Sequence, residues 1–230
     1  MAVDAVIFDW AGTLTPWKTI DFHAESVALA EAAVGAGVGA SAALLAAADE
    51  VWAWARDDHR SATLAEIFAV AGLTMDESRL QAYREFWEPG TLTDPDAGPL
   101  FRSLRGEGIK VGVLSNTVWP RAWHEEIFAR DGVLDLVDGA VYSSEIAWTK
   151  PHPEAFGAAM RAVGVDDPAH CVFVGDRLFD DIYGAHGAGM RAVHVPHSVV
   201  PASQHGHTDG EPDAVIQRLA DLPAAIAPWR

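Results

Sequence analysis

Asp9 stands directly behind the apolar run Val6-Ile7-Phe8, and Gly12-Thr13 follow three residues later. A carboxylate at the end of a buried run can attack an electrophile, hold a hard cation or move a proton. Three other polar groups occupy comparable places. Ser115-Asn116 close the apolar run 109–115, and Gly175-Asp176 close the run 171–176 with Asp180 and Asp181 just behind. Lys150 lies in the Pro-rich turn TKPHP that follows the run 139–144. The chain has only two other lysines, Lys18 and Lys110, so the position of this one carries information.

The elements around these residues predict how they meet. Residues 3–8, 109–115, 139–144, 171–176 and 191–195 read as short strands, β-branched and apolar. Residues 99–106, 119–130, 153–163 and 180–188 read as helices, and 213–226 as a strand-like start with a closing helix. Strands alternating with helices predict the α/β class: a Rossmann-like parallel sheet with helices on both faces. Between about 20 and 88, Ala, Leu, Glu and Trp recur at helical spacing, broken at 35–41, 56–61 and 71–78. That block predicts three or four packed helices. The expected division is a core of 1–18 and 92–230 with a helical domain at 19–91 inserted between the first strand and the rest. Ligands of open parallel sheets bind at the carboxyl ends of the strands. Asp9, Ser115-Asn116, Lys150 and Asp176 should therefore converge on one edge.

Composition narrows the partners. Half of the 230 residues are hydrophobic and 21% are charged, ordinary for a globular protein. A net charge of −17 argues against nucleic acid and against an anionic membrane surface. An anionic substrate must then be drawn in by local groups. The single cysteine, Cys171, lies in an apolar run, reads as a buried structural thiol and permits no disulfide within the chain. The N-terminus shows no signal-peptide pattern, and no stretch reaches the roughly 18 apolar residues of a membrane span. These features fit a reducing, cytoplasmic setting. The nine tryptophans are expected in packing, with Trp10 and Trp148 as candidate pocket walls. His194, His197, His205 and His207 read as a surface loop, since no Cys or carboxylate framework accompanies them. Nothing in the sequence sets an oligomeric state.

The segments DWAGT (9–13), SN (115–116), Lys150 within TKPHP, and GDRLFDD (175–181) have the order and flanking strands of one family. Over essentially its whole length the chain resembles the haloacid dehalogenase superfamily of hydrolases, and the inserted helices resemble that family's cap. The resemblance implies that Asp9 is the nucleophile. It implies that Ser115 hydrogen-bonds a phosphoryl oxygen, with Ala11, Gly12, Thr13 and Asn116 around the substrate, and that Lys150 pairs with Asp9 and the phosphoryl charge. It also implies a Mg²⁺ site formed by Asp9, the backbone carbonyl of Ala11, Asp176 and Asp181. Of the last two acids, Asp181 is expected to face the site, to bind the metal's waters or orient Lys150, and Asp180 to cap the next helix. Arg60, together with Arg56, His23 and His59, is a candidate to reach in from the cap. The turn at 35–41 and the stretch 56–63 are the expected substrate-facing edge, and cap movement the expected gate.

Phosphatases of that family carry a second carboxylate two residues after the nucleophile, where this chain has Ala11. It protonates the leaving alcohol, a contribution on the order of 10²–10⁴ in rate. Four readings follow. The first is a Mg²⁺-dependent phosphohydrolase for a small phosphorylated metabolite, working through an aspartyl-phosphate, with a borrowed acid or a good leaving group. The second is a phosphonoacetaldehyde hydrolase, whose first motif DWAGT resembles. That enzyme needs a cap lysine, this chain has none between 19 and 109, and Lys18 stands too early. The third is a 2-haloacid dehalogenase, which needs no acid but lacks the pair seen at Gly175-Asp176. The fourth is a low-turnover binding or regulatory module.

Overall fold

A computed structural model of the chain describes residues 2–196 and 209–230. His197, His205 and His207 lie outside the described residues. Six strands form one sheet: β1 (Ala5–Phe8), β2 (Lys110–Ser115), β3 (Gly139–Tyr142), β4 (Cys171–Gly175), β5 (Arg191–His194) and β6 (Ala214–Val215). Their order is β3-β2-β1-β4-β5-β6, and every pairing is parallel. β1 and β4 are buried along their whole length, which is why both read as unbroken apolar runs. Val6 and Phe8 of β1 point into one core, where Phe8 meets Phe101 at a ring separation of 5.2 Å. Ala5 and Ile7 point into the other, with Phe156 and Phe173. Each such aromatic ring taken fully from water contributes about 1.5–3 kcal/mol.

The helices, in chain order, begin with four in the insertion: α1 (Phe22–Ala30), α2 (Ala40–Asp58), α3 (Leu64–Val70) and α4 (Gln81–Trp87). The sheet's helices follow as α5 (Ala97–Gly106), α6 (Arg121–Arg130), α7 (Pro153–Val163), α8 (Gly184–Gly187) and α9 (Leu222–Ile226). Their local signals are plain. Asp21 caps α1 by accepting from Ala24 N, and Thr63 and Glu66 form a capping box on α3. α7 starts with Pro153 and stops at Gly164, whose φ is 73°.

Three expectations are corrected. α2 runs on through Asp58, so the expected break at 56 begins instead at His59. The expected helix 180–188 is a π-helical turn, Leu178–Tyr183, followed by the short α8. That turn starts without a side-chain cap, so Asp180 does not fill the capping role.

The insertion is also laced to the sheet away from its two linkers. Thr149 N donates to His59 O (2.9 Å), Ser61 N donates to Ala147 O (3.2 Å), and Arg60 bridges Trp148. Ser61 Oγ adds a bond to Ile146 O. No helix among the described residues is long and apolar enough to cross a membrane.

Candidate active site

The parallel register sets the site. Phe8 lies beside Val113 and Val174, so Asp9, Ser115 and Asp176 all leave the sheet at the same edge. Asp9 N donates to Val174 O at 2.9 Å, holding the first residue past β1 against β4. Lys150 arrives from the turn after β3. Its Nζ lies 2.5 Å from Asp9 Oδ1 and 2.7 Å from Asp181 Oδ1, and all three residues are buried. The backbone of Lys150 is clamped by Asn116, which accepts from Lys150 N (2.8 Å) and donates to Lys150 O (3.0 Å). Asp181 is held in turn, its Oδ2 accepting from Arg177 N at 2.9 Å. A Cβ at Gly175 would collide with the Asp181 carboxylate, so glycine is required there.

Asp176 completes the cluster. Its Oδ2 accepts from Trp17 Nε1 at 3.2 Å, while its Oδ1 is buried with no hydrogen-bond partner among the described residues. Carboxylate oxygens of Asp9, Asp176 and Asp181 lie within 4.8 Å of one another. Gly12 passes close beneath with φ 97°, and a side chain there would strike Asp176 and Trp17.

Three buried acids face the Lys150 ammonium and the Arg177 guanidinium, whose Nε lies 3.7 Å from Asp176 Oδ2, and leave excess negative charge. Burial pushes the Asp9 carboxyl up to about 6, opposed by Lys150 and reinforced by Asp181. Burial, then Asp9 and Asp181, raise Asp176 well above the usual carboxylate range. Burial alone would lower Lys150, but Asp181 and Asp9 outweigh it and hold the ammonium charged. Such a site favours a bound cation. An all-oxygen donor set with an orphaned carboxylate oxygen suits a hard divalent ion such as Mg²⁺.

The family model of haloacid dehalogenase-like hydrolases matches residues 3–189. This chain belongs to that family. Among curated relatives of this HAD-like hydrolase, a glyceraldehyde 3-phosphate phosphatase of Methanopyrus kandleri is 35% identical over 128 residues, 56% of this chain and 54% of that protein. The chain thus spans about half the length of the curated relatives it matches. Among solved structures, a HAD phosphatase of Thermococcus onnurineus aligns with a TM-score of 0.64 at 24% identity, covering 97% of this chain and 98% of that one. The L-2-haloacid dehalogenase of Xanthobacter autotrophicus aligns with a TM-score of 0.63 at 23% identity, with the same coverage. Both structures share the fold.

In this HAD-like hydrolase a cavity of about 1180 Å³ opens between sheet edge and inserted helices. Asp9, Ala11, Asn116, Lys150 and Asp176 line it. Gly12, Thr13, Ser115 and Asp181 are fully or almost fully buried and are not on its wall. The hydroxyls of Ser115 and Thr13 have no hydrogen-bond partner among the described residues.

Arg60 is not brought to the site. It pairs with Glu66 at 3.2 Å, lies 4.2 Å over the Trp54 ring and lines a separate shallow pocket. Arg56 is on the main wall instead, while His23, His59 and the turn at 35–41 are not. Trp10 does line the cavity, but Trp148 stacks on His152 at 4.1 Å. Lys18, thought to stand too early, also lines the cavity, its Nζ donating to Pro89 O.

Other residues that shape the site went unread in the sequence. Trp17 holds Asp176, and Glu25 enters from α1. A signal for Glu25 existed: Phe22, Glu25, Ser26 and Leu29 form one helical stripe facing the cavity, and a lone charge on a stripe with apolar ends is out of place.

Proposed function

We propose that this HAD-like hydrolase is a Mg²⁺-dependent phosphohydrolase acting on a small phosphorylated metabolite through an aspartyl-phosphate on Asp9. One observation carries the reading: the Lys150 ammonium is locked between Asp9 and Asp181, with the bare Oδ1 of Asp176 beside them. Lys150 occupies Oδ1 of Asp9 and leaves Oδ2 to attack phosphorus. Water then hydrolyses the acyl phosphate. Lys150 also offers positive charge to the phosphoryl oxygens, with the unpartnered Ser115 hydroxyl as a further donor.

Asp9, Asp176 and the carbonyl of Ala11 would hold the ion. Bound there, it would neutralise phosphoryl charge and relieve the carboxylate repulsion. Both oxygens of Asp181 are already engaged, by Lys150 and by Arg177 N, so its role is to orient the lysine. Residues 19–91 act as a cap domain over the core of 1–18 and 92–230, which the shared cavity lining supports. Ala11 has no proton to give, so acyl and aryl phosphates should turn over faster than alkyl esters. The phosphatase names of the curated relatives support a phosphomonoester substrate.

The test is hydrolysis of an aryl phosphate with and without Mg²⁺, in the wild type and in Asp9→Asn. Turnover that needs both Asp9 and Mg²⁺ supports the reading. Metal-independent release of halide from 2-haloacids, with no phosphate release, overturns it.

A further inference from the structure

Glu25 is a half-buried acid that the proposed phosphoryl chemistry does not use. Its Oε1 accepts two hydrogen bonds, from Tyr83 OH and from Trp87 Nε1, each at 3.2 Å. Tyr83 is fixed from behind, since Trp119 Nε1 donates to its hydroxyl at 3.0 Å. These donors hold the carboxyl in one orientation at the wall of the cavity that Glu25 lines. Around it the same cavity is walled by Phe22, Trp52, Phe86 and Trp87, none of them fully buried. Phe86 meets Trp87 edge-on at 5.6 Å, and Tyr83 meets Trp87 edge-on at 6.5 Å.

A carboxyl bonded to Tyr83 and Trp87, on a cavity wall that also carries Phe22, Trp52 and Phe86, has a definite ligand preference. Aromatic faces attract cations, most strongly where water is excluded. The carboxyl adds a negative charge when ionised, and a net protein charge of −17 raises the local concentration of cations. An anion would meet repulsion there, and a purely apolar group would leave the carboxyl without a partner. Glu25 shares one cavity with Lys150, which faces the opposite kind of group.

The geometry points to a second subsite, Glu25 with Tyr83, Trp87 and the aromatic wall, that binds an alkylammonium group. Taken with the proposed phosphohydrolase, which supplies only the anionic end, it makes the preferred substrate a phosphomonoester carrying an ammonium at its far end. Burial supports the assignment: it raises Glu25 to about 7, against the Tyr83 and Trp87 hydrogen bonds, so a bound cation would restore the charge that burial suppresses.

The test is a tryptophan-fluorescence titration of the full chain with choline and with its neutral carbon isostere, 3,3-dimethylbutan-1-ol, at pH 8. The expected result is a cation affinity at least about tenfold above that of the alcohol, abolished in Glu25→Gln. Equal affinities in the wild type overturn the subsite, and so does a preference that survives Glu25→Gln. If the variant does not fold, the wild-type comparison decides alone. Aryl phosphate hydrolysis is measured in parallel on the wild type. Its absence alongside a clear cation preference removes the phosphohydrolase reading and supports the subsite, while its presence with no cation preference removes the subsite alone.

Discussion

Replacing Lys150 by methionine keeps an unbranched side chain of similar length and deletes one charge. Lys150 is 2% exposed and Asp181 is fully buried, so solvent cannot replace the ammonium. Removing one partner of such a pair costs about 3–5 kcal/mol when the other charges stay ionised. The loss depends on pH in a direction that follows from Asp9. In the wild type its pKa is raised from 3.8 unfolded to about 6 folded. Between those values the folded chain holds more protons than the unfolded one, so stability falls as pH rises through the window. The pKa gap corresponds to about 3 kcal/mol from Asp9 alone. Without Lys150 the attraction that lowers Asp9 and Asp176 is gone, and the window extends to higher pH. Urea unfolding of both proteins at pH 4.5 and pH 8, without divalent metal, reads this out. The Lys150→Met deficit should be about 3–5 kcal/mol at pH 8 and shrink by at least half at pH 4.5, where the carboxyls protonate. A deficit below about 1 kcal/mol, or one equal at both pH values, would falsify the charge argument.

Other substitutions report on separate parts of the site. Asp9→Asn should lower aryl phosphate hydrolysis by a factor on the order of 10³ or more, because the amide is not a nucleophile; a loss below tenfold would show attack from elsewhere. Mg²⁺ should raise the melting temperature of the wild type in proportion to its occupancy and do nothing for Asp176→Asn; an equal shift in both proteins would place the ion elsewhere. Gly12→Ala should destabilise by about 1–3 kcal/mol and weaken the Mg²⁺-induced shift, since the added methyl meets Asp176 and Trp17 at a φ of 97°. A neutral effect in differential scanning calorimetry would count against that clash.

The sheet and the edge where the polar residues gather are legible because burial on both faces writes continuous apolar runs, and the polar residues that end them mark where each strand stops. That placed Asp9, Asp176 and Lys150 correctly as neighbours. What the sequence hid is side-chain partnership across long separations. Asn116 lines the cavity, and nothing in the sequence signals that its amide also binds both backbone atoms of Lys150, 34 residues away. Arg56 and Arg60 are both cap candidates in the sequence, and only the true end of the helix separates them. Its continuation to Asp58 carries the stripe Leu45, Ala48, Asp49, Trp52, Ala55 and Arg56 along the cavity and turns Arg60 toward Glu66. Lys18 was judged by its distance along the chain, whereas the fold brings it to Pro89, on the return from the insertion. Glu25 stayed hidden because its partners, Tyr83 and Trp87, belong to another helix.

The lacing of residues 59–61 to residues 146–149 gives the insertion a third mooring. A lid hung only from its two linkers swings like a door, and the floor beneath it stays still. Here the strap at the end of α2 is knotted to the stretch that ends one residue before Lys150. Any tilt of the inserted helices must either undo those main-chain bonds or pull on the segment that presents the lysine. Cutting that strap, by Ser61→Pro, which removes the amide bonded to Ala147 O, is therefore expected to loosen the segment that carries the lysine as well as the inserted helices, a change that amide hydrogen exchange at 147–150 reads.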